Sequence, residues 1–173
     1  MFHHTSVFSL GRARQGIHLI WFCVLIVGLS YSPAMLSPRP AGAQAGPLIQ
    51  NDFEDGTLQG WVPRGGGVIL TNTTEAANAG TRSLKTAGRT AGFHGPSLDL
   101  LGRLLKGATY QINASVRLVA GQPASLIRVT MQRTLPDNTN QFDQVSASAT
   151  NGVTDAAWVR LQGQYTFSTD VTG

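Results

Sequence analysis

From Thr109 to Leu118 the chain alternates apolar and polar residues one by one. Tyr110, Ile112, Ala114, Val116 and Leu118 fall on one face; Gln111, Asn113, Ser115 and Arg117 fall on the other. A period of two predicts an antiparallel strand with one face buried and one face free. Ser125–Arg133 repeats the pattern, with Ile127, Val129 and Met131 opposed to Arg128, Thr130 and Gln132. Trp158–Phe167 repeats it again, with Val159, Leu161, Tyr165 and Phe167 opposed to Arg160, Gln162 and Gln164. Val68–Thr71 and Ser83–Thr86 are shorter strand candidates, and Leu98–Lys106 predicts at most one turn of helix. Gly65-Gly66-Gly67, Asn78-Ala79-Gly80, Gly121-Gln122-Pro123, Pro136-Asp137-Asn138 and Asn151-Gly152 punctuate these runs. Short strands separated by dense turn signals predict an all-β sandwich or barrel. About seven strands can be counted where a jelly roll has about eight. The chain stops at Gly173 just after a strong strand, so the expectation is a sheet fold lacking its last one or two strands.

The N-terminal stretch follows another pattern. Arg12 and Arg14 precede the apolar run Ile17–Leu29, three prolines follow at 33, 38 and 40, and Ala43-Gln44-Ala45 fits a small-residue cleavage site. The run falls short of the ~20 apolar residues of a membrane span. Residues 1–45 are therefore expected to be a secretory signal, leaving 46–173 as one domain with no membrane anchor; the alternative is an uncleaved N-terminal anchor.

This division changes the meaning of the composition. Three of the 13 Lys and Arg precede residue 46, leaving ten bases against nine acids, scattered singly along the strands. A nucleic-acid partner would call for a concentrated basic patch. Cys23, the single cysteine, lies in the apolar run, so 46–173 has neither a disulfide nor thiol chemistry. With two glutamates, Glu54 and Glu75, and aspartates dispersed in turns, no motif supports the flanking carboxylate pair of a glycosidase, although folding could still bring two acids together. His94 is the one histidine after residue 45, and Gly-x-Ser-x-Gly, His-Glu-x-x-His and Walker patterns are absent. The chain is expected not to be an enzyme.

Asn-Asp-Phe-Glu-Asp-Gly (51–56), Gly60-Trp61, Arg64-Gly65-Gly66, Ser83-Leu84-Lys85, Gly88-Arg89-Thr90, Gly95-Pro96-Ser97, Thr109-Tyr110, Met131-Gln132-Arg133 and Trp158-Val159-Arg160-Leu161 occur in that order. Together they resemble a carbohydrate-binding module of the family 22 type, within the group that contains families 4 and 9. The likeness runs from Asn51 to Phe167. It implies a β-sandwich jelly roll with a cleft for xylan or mixed-linkage β-glucan, in a secreted, monomeric module joined to a glycoside hydrolase such as a xylanase. It also implies a structural calcium, for which Glu54 and Asp52 are the candidate ligands, since hard cations take carboxylate oxygens. The family's remaining cleft residues, a tyrosine and a glutamate, would lie beyond Gly173.

A sugar ring has an apolar C–H face edged by hydroxyls, so it needs an aromatic platform and a few fixed polar groups. By the resemblance, Arg64 is the cleft arginine and Gln132 belongs to the cleft floor. Phe93 stands where the family carries a tryptophan, and Phe142 where it carries a tyrosine. Phenylalanine keeps the platform and loses the polar handle. From the residues alone, Arg64 is either a solvated surface arginine or a cleft residue, Gln132 faces solvent or the cleft, and Phe93 and Phe142 divide between core and platform. Trp61 is expected in the core, and Trp158 in the core or on the sheet surface. A jelly-roll spacer without a ligand, or a truncated chain that does not function, are the competing expectations.

Overall fold

The structure is a computed structural model that describes residues 47–168 together with the strand backbones of residues 5–10 and 18–30. The strands are β1 (Thr5–Leu10), β2 (His18–Ser30), β3 (Ile49–Asn51), β4 (Trp61–Arg64), β5 (Ile69–Thr73), β6 (Ser83–Arg89), β7 (Gly95–Asp99), β8 (Thr109–Leu118), β9 (Ile127–Thr134), β10 (Asn140–Ala147) and β11 (Val159–Thr166). They form two antiparallel sheets. One has the order β10-β9-β1-β7-β4; the other has the order β11-β8-β2-β6-β5, with β3 paired to β2.

The alternation read from β8 is the alternation that packs. Tyr110, Ile112, Ala114, Val116 and Leu118 are all buried, and they join Ile127, Val129 and Met131 of β9 and Leu161 and Tyr165 of β11 in one core. Tyr110 is 1% exposed, and its hydroxyl accepts the Leu105 backbone N–H at 2.6 Å, which satisfies its polar tip. At Gly163 of β11 the Val145 carbonyl of β10 lies 2.2 Å from where a Cβ would stand, so only glycine lets the two sheets approach at this edge.

Four strands exceed the expectation, for physical reasons. β3 and β4 are too short to show a period. β4 also contains Pro63, which an edge strand tolerates, and Trp61 at its start is 4% exposed and part of the core. β7 claims Leu98 and Asp99, and Leu100–Gly107 continues as turns, so the helical turn over Leu98–Lys106 does not form. β10 is mostly polar and exposed, which hides its alternation; its ladder with β9, from Asn140↔Thr134 to Ala147↔Arg128, holds it in the sheet.

Each sheet also contains a strand from the N-terminal segment. β1 lies between β7 and β9, and β2 lies between β6 and β8. Residues expected as a leader are thus paired strand backbone in this structure. The cleavage sequence Ala43–Ala45 lies outside the described residues.

Replacing Leu161, 2% exposed in this core, by Ala should lower unfolding free energy by about 2–5 kcal/mol, while Gln162→Ala on the exposed face should change it by less than about 0.5 kcal/mol. Urea unfolding of both variants would check the inward and outward assignment of β11.

Candidate functional site

Arg64 ends β4 at one edge of its sheet, and Phe142 lies on β10 at the other. β9 and β10 are the third and fourth neighbours of β4, which in a flat sheet would be roughly 14 and 19 Å away. Yet the Arg64 guanidinium donates through Nη1 to Gln132 Oε1 of β9, and its Cζ stands 5.3 Å from the Phe142 ring centroid. The sheet must curve for one arginine to span it, and its outer face is then concave. Trp61 and Arg64 differ by an odd number of residues along β4, so burying the Trp61 ring turns Arg64 to that outer face. Gln132 and Phe142 are direct cross-strand partners and share one face.

The polar side of the cluster is fixed further along. Gln132 Nε2 donates to Asn140 Oδ1 at 3.1 Å, and Thr134 Oγ1 donates to the same oxygen at 2.9 Å. Asn140 and Thr134 escaped the sequence reading; the polar run from Asn138 to Gln141 was the only signal. Partial burial pulls the Arg64 guanidinium below its ordinary pKa, and among the described residues no carboxylate pairs with it. Its cation is met by a neutral amide and an aromatic face, a cation–π contact, so its remaining N–H donors are not committed to an acid.

Phe93 is 56% exposed and Phe142 is 53% exposed. Both are outside the core, as platforms must be. Phe93 joins the Arg64 end indirectly: its ring meets the His94 ring edge-on at 4.8 Å, and the His94 ring lies 2.3 Å from where a Cβ on Gly65 would stand. Gly65 also has φ of 102°, where an L side chain is strained. His94 is buried and takes up Thr90 through Nδ1, with N–H at 3.4 Å and Oγ1 at 3.3 Å. It is a brace under the Phe93 loop. Trp158 lies on the sheet surface with the Arg117 guanidinium 5.5 Å above its ring.

The acids at the N-terminal turn are arranged differently from a calcium cage. Glu54 Oε1 accepts the N–H groups of Thr81 at 2.9 Å and Arg82 at 2.8 Å, and Oε2 accepts the Thr81 hydroxyl at 2.7 Å. Asp52 Oδ1 accepts Gln59 Nε2 at 3.0 Å and the Glu54 N–H at 3.2 Å. These donors hold both carboxyls below their ordinary pKa, with the Thr81 side chain the largest cause for Glu54 and the Gln59 side chain for Asp52. N–H donors cannot ligate a cation, calcium takes six to eight oxygens, and no group of three or more His, Cys, Asp or Glu gathers among the described residues. Glu54 and Asp52 as placed do not fit the ion; Glu54 ties the N-terminal turn to the start of β6 by itself.

The matched family model agrees with this architecture. The model described as "carbohydrate binding domain" matches residues 46–173. The chain belongs to this family. The CBM22-1 xylan-binding domain from Paenibacillus barcinonensis Xyn10C superposes with a TM-score of 0.64 at 44% identity, covering 70% of this chain and 76% of that one. Endo-1,4-beta-xylanase C of Paenibacillus barcinonensis is 40% identical over 152 residues, 87% of this chain and 14% of that protein. Exoglucanase XynX of Acetivibrio thermocellus is 40% identical over 129 residues, 73% of this chain and 11% of that protein. The chain thus spans a small fraction of these relatives, and what it matches is a carbohydrate-binding module, a non-catalytic part of such enzymes.

Two outcomes follow for this module. Because the Glu54 carboxyl is held below its ordinary value of 4.5, its contribution to stability is complete above that pH and is lost as pH falls through the lower, folded value. Glu54→Gln should therefore lower the thermal midpoint at pH 7 and leave it nearly unchanged at pH 2, and EDTA should not shift the wild-type midpoint. Gly65→Ala should destabilise the Phe93 loop by more than about 1 kcal/mol, since it meets both the His94 ring and a disfavoured φ; amide exchange across residues 88–96 would report it.

Proposed function

We propose that this module binds a plant cell-wall β-glycan, xylan or mixed-linkage β-glucan, on the outer face spanned by Arg64, Gln132 and Phe142. The observation that carries the reading is the arginine reaching across the sheet onto an exposed aromatic ring. Phe142, and Phe93 beyond the Gly65–His94 contact, offer flat apolar faces to the C–H side of pyranose rings. The Arg64 fork donates to hydroxyl pairs on the ring edge, and Gln132, held by Asn140, supports it. With Phe in place of rings that carry N–H or O–H, the platforms contribute contact area and no hydrogen bond, so selectivity rests on the arginine and the amides.

The module acts as a monomer and serves a glycoside hydrolase acting on the same polymer, by holding the catalytic domain near its substrate. Residues 1–45 direct it out of the cell, with cleavage after Ala45. What supports this placement is the similarity to xylanases and the charge and small-residue pattern of the N-terminus. No described helix is long and apolar enough to cross a membrane.

Affinity gel electrophoresis against soluble xylan and barley β-glucan tests the proposal. Retardation is expected, with Arg64→Ala weakening it roughly 10- to 100-fold through loss of charged hydrogen bonds. Phe142→Ala should weaken it by roughly 10-fold through loss of the platform. Folded wild-type protein that migrates freely in both polymers, or variants that bind as well as wild type, would reassign this face to a spacer without a ligand.

A further inference from the structure

Phe93 stands on a turn whose ties converge on one imidazole. The His94 N–H donates to the Ala91 carbonyl at 3.1 Å, which closes residues 91–94 as a turn with Phe93 third in it. The Arg89 guanidinium donates through Nη2 to the Gly92 carbonyl at 3.3 Å. The His94 side chain makes the third tie, to Thr90. Its ring also meets the Phe93 ring edge-on and fills the space where a Cβ on Gly65, the residue after Arg64, would stand. One buried side chain thus touches both the exposed aromatic and the strand end that carries the arginine.

The Thr90 bond sets the protonation that this imidazole needs. A backbone N–H can only donate, so Nδ1 must accept and carries no proton; the ring proton of the neutral form is then on Nε2. A second proton, on Nδ1, turns that acceptor into a donor and sets it against the Thr90 N–H. The charged groups on the segments that touch His94 are Arg64 beside Gly65, Arg89 beside Thr90, Lys85 further back on β6 and Asp99 at the far end of β7. Lys85 is paired with Glu75, and Asp99 accepts the Leu101 N–H at 2.9 Å. β2 brings His18 into register with Arg89. Of side chains of these kinds, only imidazole ordinarily changes charge between about pH 5 and 8.

We propose that His94 is the positioning residue of the Phe93 platform: its neutral imidazole holds the ring at a fixed place relative to Arg64, and the imidazolium releases it. The inference rests on the reading of Phe93 and Arg64 as parts of one glycan-binding face. Binding then weakens as pH falls through the imidazole range, although the arginine keeps its charge throughout that range.

The test is calorimetric titration of the full chain with barley β-glucan, a polymer without carboxylates, at about pH 8 and about pH 5. Wild type should bind roughly 10-fold more weakly at the lower pH, the size of a lost platform. His94→Phe keeps a ring against Phe93 and Gly65 without the acceptor, and should bind weakly at both. His94→Asn supplies an acceptor oxygen near the Nδ1 position and takes up no proton; it should recover binding that His94→Phe loses, with no fall at the lower pH. His18→Gln should keep the wild-type fall. Equal wild-type affinity at the two pH values overturns the proposal, as does a fall that survives in His94→Asn or disappears in His18→Gln. The amide nitrogen shift of Thr90 gives a reading that needs no ligand and holds even where His94→Phe does not fold. It should move with pH in wild type and not in His94→Asn; a wild-type shift that stays still overturns the proposal. A chain that binds neither β-glucan nor xylan at either pH, while the Thr90 shift moves, keeps His94 as the holder of Phe93 and overturns the glycan reading alone.

Discussion

A strand in a two-layer sandwich has one face to give to the core, and this limit organises the whole molecule. The apolar seam between the sheets takes Ile127, Val129 and Met131 from β9, Trp61 from β4, and the alternate residues of β8. Burying that set is favourable by roughly 25 cal/mol per Å² of apolar surface removed from water. The residues left over, Arg64, Gln132 and Phe142, are delivered to one outer surface. The placing of these three side chains on one face is a consequence of core packing, and the curvature that lets β4 reach toward β10 comes with it.

Charge is distributed so that this face keeps its donors. Arg133 is tied to Asp143 at 2.8 Å and Lys85 to Glu75 at 2.6 Å. Glu54 is occupied by the Thr81 and Arg82 amides. Arg64 instead meets an amide and a ring. An arginine with a carboxylate partner would have to break a charged pair before donating to a neutral hydroxyl, whereas one resting on Gln132 and Phe142 exchanges partners of similar strength. The exposed Phe93 is held the same way, by packing of His94 on Gly65 instead of by charge.

Each sheet takes one strand from the N-terminal segment. In the sheet with Arg64 the strand backbone of residues 5–10 joins β7 to β9. In the other, the strand backbone of residues 18–30 joins β6 to β8. Sheet continuity needs only backbone groups, which any extended segment provides.

The alternation of apolar and polar residues already displays the fold class and the core faces of β8, β9 and β11, because burial on one face imposes a period of two; Trp61, on a strand too short to show that period, is placed inside by its size and apolar neighbours. The sequence also carried the family likeness, which the family model over residues 46–173 bears out. The tertiary structure alone decided the short strands β3, β4 and β7 and the polar strand β10, whose signals are too brief or too hydrophilic to stand out. It alone brought Arg64 to Gln132 and Phe142 across most of a sheet, and recruited Asn140 and Thr134. It turned Glu54 toward amides, and it paired the N-terminal apolar run with β6 and β8. Contacts between residues far apart in sequence depend on strand order and curvature, and neither leaves a local mark on the chain.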